Sequence, residues 1–143
     1  MTVKSILATK GRDVATAAPD LSMQDLARAL ADRRIGAMIV TGGGGEVVGI
    51  VSERDVVRAL ARGGAAALAE PVSRHMTAKV VTCREDHTIV QVMELMTNGR
   101  FRHMPVTQDG RLVGVVSIGD IVKHRVAEME NEQKALKEYI ASA

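Results

Sequence analysis

The sequence predicts an α+β fold in which two β-α-β-β-α repeats form a pseudo-twofold pair, followed by a long C-terminal helix. Three observations predict it. The stretch Gly49-Ile50-Val51-Ser52-Glu53-Arg54-Asp55 recurs as Gly114-Val115-Val116-Ser117-Ile118-Gly119-Asp120, each an apolar strand, then a hydroxyl, then a carboxylate one helical turn on. Upstream, Asp20 to Val40 aligns without a gap on Asp86 to Val106, with Met38/Met104 and Val40/Val106 among the identities. Downstream, nothing breaks a helical pattern from Ile121 to Ile140. Two copies are too few for a stacked solenoid, so a pair is the simpler architecture.

Taken in order, Val3 to Leu7 matches Val72 to Met76, and the first copy carries an insertion around Lys10-Gly11-Arg12-Asp13. Val14-Ala15-Thr16 and Val80-Val81-Thr82 read as short extended segments. Ser22 and Thr88 are placed as N-caps of helices running to about Arg33 and Asn98. Met23, Leu26, Ala27 and Leu30 form the apolar stripe of one helix, and Ile89, Val92, Met93 and Met96 that of the other. A hairpin follows in each copy, Ala37 to Val40 with Val47 to Val51 and His103 to Val106 with Leu112 to Val116, turned by Gly42–Gly45 and by Asp109-Gly110. Ser52 and Ser117 then open second helices. The expected boundaries are 1–66 and 67–126 for the repeats, with a Gly/Ala-rich connector at 63–71, and 127–143 for the C-terminal extension.

In the last helix Val122, Val126, Met129, Gln133, Leu136 and Ile140 alternate spacings of four and three, a heptad seam with one polar position. So short a seam is marginal alone in water. It must pack on its own domain or on another chain, and a homodimer is the expectation.

Composition removes several function classes. A net charge of +2 is too weak a bias for a nucleic-acid or anionic-membrane partner. Phe101 and Tyr139 are the only aromatics, so no base-stacking platform is available. Cys83 is single, which excludes a disulfide framework and zinc-ligand spacing, and a buried apolar role is expected for it. His75, His87, His103 and His124 form no metal-binding pair. Gly42–Gly45 is no dinucleotide fingerprint, because no helix follows it. The N-terminus lacks a signal-peptide core and no apolar run is long enough to span a bilayer, so a cytoplasmic protein is expected. No nucleophile, base and orienting group fall at a usable spacing, which ranks an enzyme acting on nucleotides last.

The candidate site is the repeated Ser-x-x-Asp. A Ser N-cap and a carboxylate in the first turn stabilise a helix by themselves. Their recurrence at equivalent positions points further, to two half-sites that each set a hydroxyl, free N–H groups and an Asp around one spot. Arg102 and His103, at the start of a hairpin strand, are placed to hold a phosphate.

The doubled pattern, with IGAMIV or FRHMPV followed by VVGIVSERD or LVGVVSIGD, resembles a tandem pair of CBS (cystathionine-β-synthase) domains, a stand-alone Bateman-type module, over about residues 3–126. The resemblance implies two three-stranded sheets packed through a pseudo-twofold interface, with two clefts for adenine nucleotides: AMP, ADP, ATP, an NAD-type dinucleotide or S-adenosylmethionine. It implies that the Asp takes the ribose hydroxyls and that the Ser or Thr lies near the phosphate. One site would use Ser52, Arg54, Asp55, Val80, Thr82, Arg102, His103 and Pro105; the other would use Val14, Thr16, Gly36, Ala37, Ile39, Ser117 and Asp120. The second departs from the pattern, with Gly36-Ala37 in place of Arg102-His103 and Gly119 in place of Arg54, so weaker phosphate binding is expected there. Lys4, Lys10 or Arg12 from the inserted loop are the available replacements.

The functional expectation is a nucleotide sensor without catalysis or a catalytic cofactor, acting on a separate target protein. The alternative is a structural or adaptor protein with vestigial clefts, acting through its C-terminal helix.

Overall fold

The computed structural model describes residues 1–142; residue 143, the last of the expected extension, lies outside the described residues. A short helix α1 (Val3–Lys10) precedes strand β1 (Thr16–Ala17), helix α2 (Met23–Arg33) and the hairpin β2 (Ala37–Thr41) and β3 (Val47–Ser52). Helix α3 (Glu53–Gly63) runs into two 3-10 turns, Gly64–Ala69 and Val72–Arg74. The second repeat has α4 (Ile89–Gly99), the hairpin β4 (His103–Gln108) and β5 (Arg111–Ser117), and α5 (Ile118–Ser142). The α+β class and the repeat order are those the sequence predicts.

Local signals act where they were read. Ser22 Oγ accepts from Asp25 N–H at 3.1 Å. Thr88 makes a full capping box, its Oγ1 accepting from Gln91 N–H at 3.1 Å while Gln91 Oε1 accepts from Thr88 N–H at 2.9 Å. Both residues of the Asp109-Gly110 turn have positive φ, 53° and 78°, as a two-residue hairpin turn of the primed type requires. The glycine tip of the other hairpin is tied down by Glu46, whose side chain accepts from Gly44 N–H at 3.0 Å. Most of the expected connector forms the 3-10 turn Gly64–Ala69, and Ala67 in it is buried.

The two sheets differ by one strand. In the first, β1 lies parallel to β2 and β2 antiparallel to β3. In the second only β4 and β5 form a ladder, and Val80-Val81-Thr82 is not a strand; pairing is reduced to one parallel bridge between Cys83 and Val106. Pro105 supplies the reason. Ile39 N–H donates to the Ala15 carbonyl at 3.3 Å, which extends the first ladder upstream. Pro105 holds the equivalent place in β4 and has no N–H to offer Val81. Its carbonyl still accepts from Cys83 N–H at 3.0 Å, and the Cys83 carbonyl accepts from Thr107 N–H at 2.9 Å; that single bridge is what remains of the third strand.

The cores cross the repeat boundary. Val3, Ile6 and Leu7 of α1 are buried with Cys83, Ile89, Val92, Met96, Met104, Val106, Val116 and Ile121 of the second repeat. Ala67 of the connector and Val72 of the second repeat's leading segment are buried with Met23, Leu26, Leu30, Met38, Val40 and Val51 of the first. Each leading segment therefore covers the other copy's sheet, which binds the repeats together through apolar burial.

Helix α5 is a continuous 25-residue helix. Only Ile121 of it is buried, while Val122, Val126, Met129, Leu136 and Ile140 of the seam are exposed at 48–65%. The seam is not covered by its own domain.

Candidate functional site

Where β3 ends and α3 begins, Asp55 turns back onto the strand terminus. Its Oδ2 accepts from Ser52 N–H at 2.8 Å and from Ser52 Oγ at 3.2 Å, which holds the carboxylate in one pose. The junction borders a cavity of about 340 Å³ that also takes in Gly36 and Ala37 where β2 begins, Thr77 to Val81 except Ala78, and Arg100 to Arg102 ahead of β4 with His103 at its start. Each part comes from a different element, and the cavity exists because the second repeat's leading segment lies along β3: Thr77 and Ile50 exchange backbone hydrogen bonds of 2.9 and 3.0 Å.

Of the residues expected in one site, Ser52, Arg54, Asp55, Val80, Arg102 and His103 line this cavity together. Thr82 and Pro105 are not part of its lining; Pro105 is buried in β4. Gly36 and Ala37, expected in the other site, border the same cavity instead. Ile50, Glu53, Arg58, Thr77, Lys79, Val81, Arg100 and Phe101 line it without having been singled out in the sequence. Arg58 had a legible signal, one helical turn beyond Arg54. Lys79 and Arg100 had none, since loop geometry places them.

The wall is strongly cationic. Arg54, Arg58, Lys79, Arg100 and Arg102 face two carboxylates, Glu53 and Asp55. Among the described residues only Arg58 of these cations has an ion-pair partner, Asp55 at 3.9 Å. Four cations without a protein counter-ion around one recess favour an anionic ligand, since charge-assisted hydrogen bonds are the strong ones. Burial lowers the His103 pKa below the ordinary imidazole value; nearby Lys10 and Arg102 act in the same direction, and Asp120 and Glu53 oppose them. Burial pushes the Cys83 thiol up to about 12, so it is a packed side chain and not a nucleophile.

The second Ser-x-x-Asp repeats the first pose. Asp120 Oδ2 accepts from Ser117 N–H at 2.9 Å, and Ser117 Oγ accepts from Asp120 N–H at 3.1 Å. The same Oδ2 also accepts from Lys10 Nζ at 2.6 Å. Burial raises the Asp120 pKa, but the hydrogen bonds from Lys10 and Ser117 outweigh it and hold the carboxyl below its ordinary value. Of the other residues expected here, Thr16 pairs with Ile39 across β1 and β2, and Val14 precedes β1. None of Val14, Thr16, Ile39, Ser117 or Asp120 borders the large cavity.

The chain matches the CBS domain over residues 3–62 and again over 72–127. It belongs to the CBS domain family. The CBS-domain containing protein ATU1752 from Agrobacterium tumefaciens is similar, with 51% identity and a TM-score of 0.83, covering 87% of this chain and 99% of that one. The CBS pair of protein MJ0100, solved with 5′-methylthioadenosine and S-adenosyl-L-methionine, shares 27% identity at a TM-score of 0.79 over 90% of this chain and 98% of its own. The mitochondrial CBS protein CBSX3 of Arabidopsis thaliana is 30% identical over 97% of this chain and 71% of its own length. In this CBS pair both signature carboxylates accept from the backbone N–H of their serines. They differ in what stands next to them, an open cationic cavity for Asp55 and an ammonium for Asp120.

Proposed function

We propose that this CBS pair is a regulatory adenine-nucleotide-binding module whose principal site is the cavity at Asp55, and that it signals its ligand state to a separate target protein. The observation that carries the reading is the joining, in one recess, of a serine-positioned carboxylate with four unpaired cations. A carboxylate accepts from ribose hydroxyls, and the cations hold phosphate. Val80, Val81, Ile50 and Ala37 supply the apolar surface against which an adenine can lie without an aromatic partner. AMP, ADP or ATP fit this chemistry first, and NAD(H) or S-adenosylmethionine follow; the MJ0100 pair, solved with two adenosyl compounds, supports the class. The module has no catalytic role and a cytoplasmic location in this reading. No helix among the described residues is long and apolar enough to cross a membrane. Isothermal titration of AMP, ATP, NAD(H) and S-adenosylmethionine tests the proposal, and failure of all of them to bind overturns it.

Ligand state is transmitted in this reading through a homodimer. The exposed seam of α5 is the observation that favours it, because so large an unpartnered apolar stripe belongs against another chain. The same stripe supports the adaptor alternative, in which the helix acts and the cleft is vestigial. Nucleotide-dependent change in the sedimentation of the full chain decides between them.

A further inference from the structure

Lys10 closes the last turn of α1 and spans two acceptors. Its Nζ donates to Asp120 Oδ2 at 2.6 Å and to the Val115 carbonyl at 3.0 Å. The matching groups of the first repeat are Asp55 and Ile50, and both border the open cavity. There the outward-facing Ile50 carbonyl accepts from the backbone N–H of Thr77 at 2.9 Å, and no side chain cation touches Asp55 nearer than Arg58 at 3.9 Å. The leading segments part ways at this point. The one before the second repeat leaves its 3-10 turn at Arg74 and lies extended along β3, whereas α1 stays helical as far as Lys10 and reaches β5 with a side chain. An ammonium therefore stands where the other repeat leaves open space beside its carboxylate.

We propose that Lys10 is an internal occupant of the second cleft, competing with ligand hydroxyls for Asp120 and making this half-site the weaker of the two. The inference rests on the nucleotide reading above for the kind of ligand excluded. It runs against the simplest expectation for a basic insertion beside a cleft poor in cations, that Lys10 assists phosphate binding. The ammonium is already committed to a carboxylate and a carbonyl, and ligand hydroxyls reach Asp120 only by displacing it. Two bonds to a partly exposed pair make a barrier of modest size, so removing them should tighten the second site about three- to tenfold.

Adenosine is the probe, because it carries no phosphate for a freed lysine to attract. Calorimetric titration of the full chain compares the wild type, Lys10→Met and Lys10→Met with Asp120→Ala. The expected result is tighter binding at a second site in Lys10→Met, which the added Asp120→Ala abolishes. Second-site binding that is unchanged or weakened in Lys10→Met overturns the proposal. Binding to neither site of either protein, with AMP and ATP also silent, overturns the nucleotide reading instead. A ligand-free arm then still decides the contact: amine acetylation followed by mass spectrometry should modify Lys10 more slowly than exposed Lys134, and Asp120→Asn should remove the difference. Equal rates at Lys10 and Lys134 in the wild type show that Lys10 is not held, and the occupant does not exist.

Discussion

Leu7 stands over Gly114 so closely that a Cβ on the glycine would come within 2.8 Å of Leu7 Cδ2. Met76 stands over Gly49 in the same way, with its Sδ 2.5 Å from where a Cβ would be. These two contacts are the points at which each leading segment locks onto the other repeat. Gly114→Ala should cost about 1–3 kcal/mol through overpacking, since Leu7 is fully buried and cannot swing clear. Adding Leu7→Ala should cost less in the Gly114→Ala background than in the wild type. Urea denaturation of the four proteins measures the coupling, and strictly additive effects would refute the contact.

Asp55→Ala removes the acceptor proposed for the ribose and should weaken nucleotide binding about ten- to a hundredfold. It also removes the carboxylate that accepts from Ser52 N–H, a capping loss of about 1 kcal/mol that leaves the protein folded. Calorimetry on a protein of wild-type circular dichroism is the check; wild-type affinity would remove Asp55 from the site.

Arg102→Ala should weaken ATP more than AMP and should flatten the salt dependence of both, because long-range attraction by the cationic wall is screened by ions. Titrations at two salt concentrations read this. Identical salt slopes in the two proteins would take Arg102 out of the phosphate contacts.

If the Asp55 cavity holds a phosphate as proposed, His103 should make its affinity depend on pH. In the free protein its pKa lies below 6.5 because burial and the neighbouring cations disfavour the imidazolium. A bound phosphate favours the protonated form. Affinity should therefore rise as pH falls, and the rise should continue below pH 6.5 until the lowered free-state pKa is passed, with proton uptake on binding. His103→Asn should remove the slope; a wild-type affinity that is flat between pH 7 and pH 5.5 would contradict the assignment.

In the proposed homodimer the exposed α5 seam is the contact between the chains. Met129 and Leu136 are 52% and 59% exposed, so Met129→Glu with Leu136→Glu disturbs no core of the single chain. The double variant should sediment as a monomer at concentrations where the wild type is a dimer, with an unchanged unfolding midpoint for the monomer core. A wild type that is monomeric at tens of micromolar, roughly where a weak dimer should show, would refute the dimer.

The sequence by itself determined the repeat, its four helix starts, both hairpins and the seam, because each of these is written in short-range chemistry. Ser22 and Thr88 cap within their own first turns, Asp109-Gly110 turns a hairpin through its own φ angles, and the seam is a periodicity on one helix. The pairing of Ser52 with Asp55 and of Ser117 with Asp120 is equally local, so these two contacts were legible. Tertiary structure decided what stands around them. Lys10 reaches Val115 and Asp120 from 105 and 110 positions away, and no pattern along the chain encodes that distance. Lys79 and Arg100 join the Asp55 cavity because the second repeat's leading segment lies along β3 and the α4–β4 corner closes over it. The missing strand is decided by Pro105 only in company, since a proline removes a ladder bond that matters where a neighbour would accept it. The sequence already set the two half-sites apart, with Gly36, Ala37 and Gly119 where the other has Arg102, His103 and Arg54. The leading segments, one helical to its lysine and the other extended, add a difference that only the fold contains, an ammonium on Asp120.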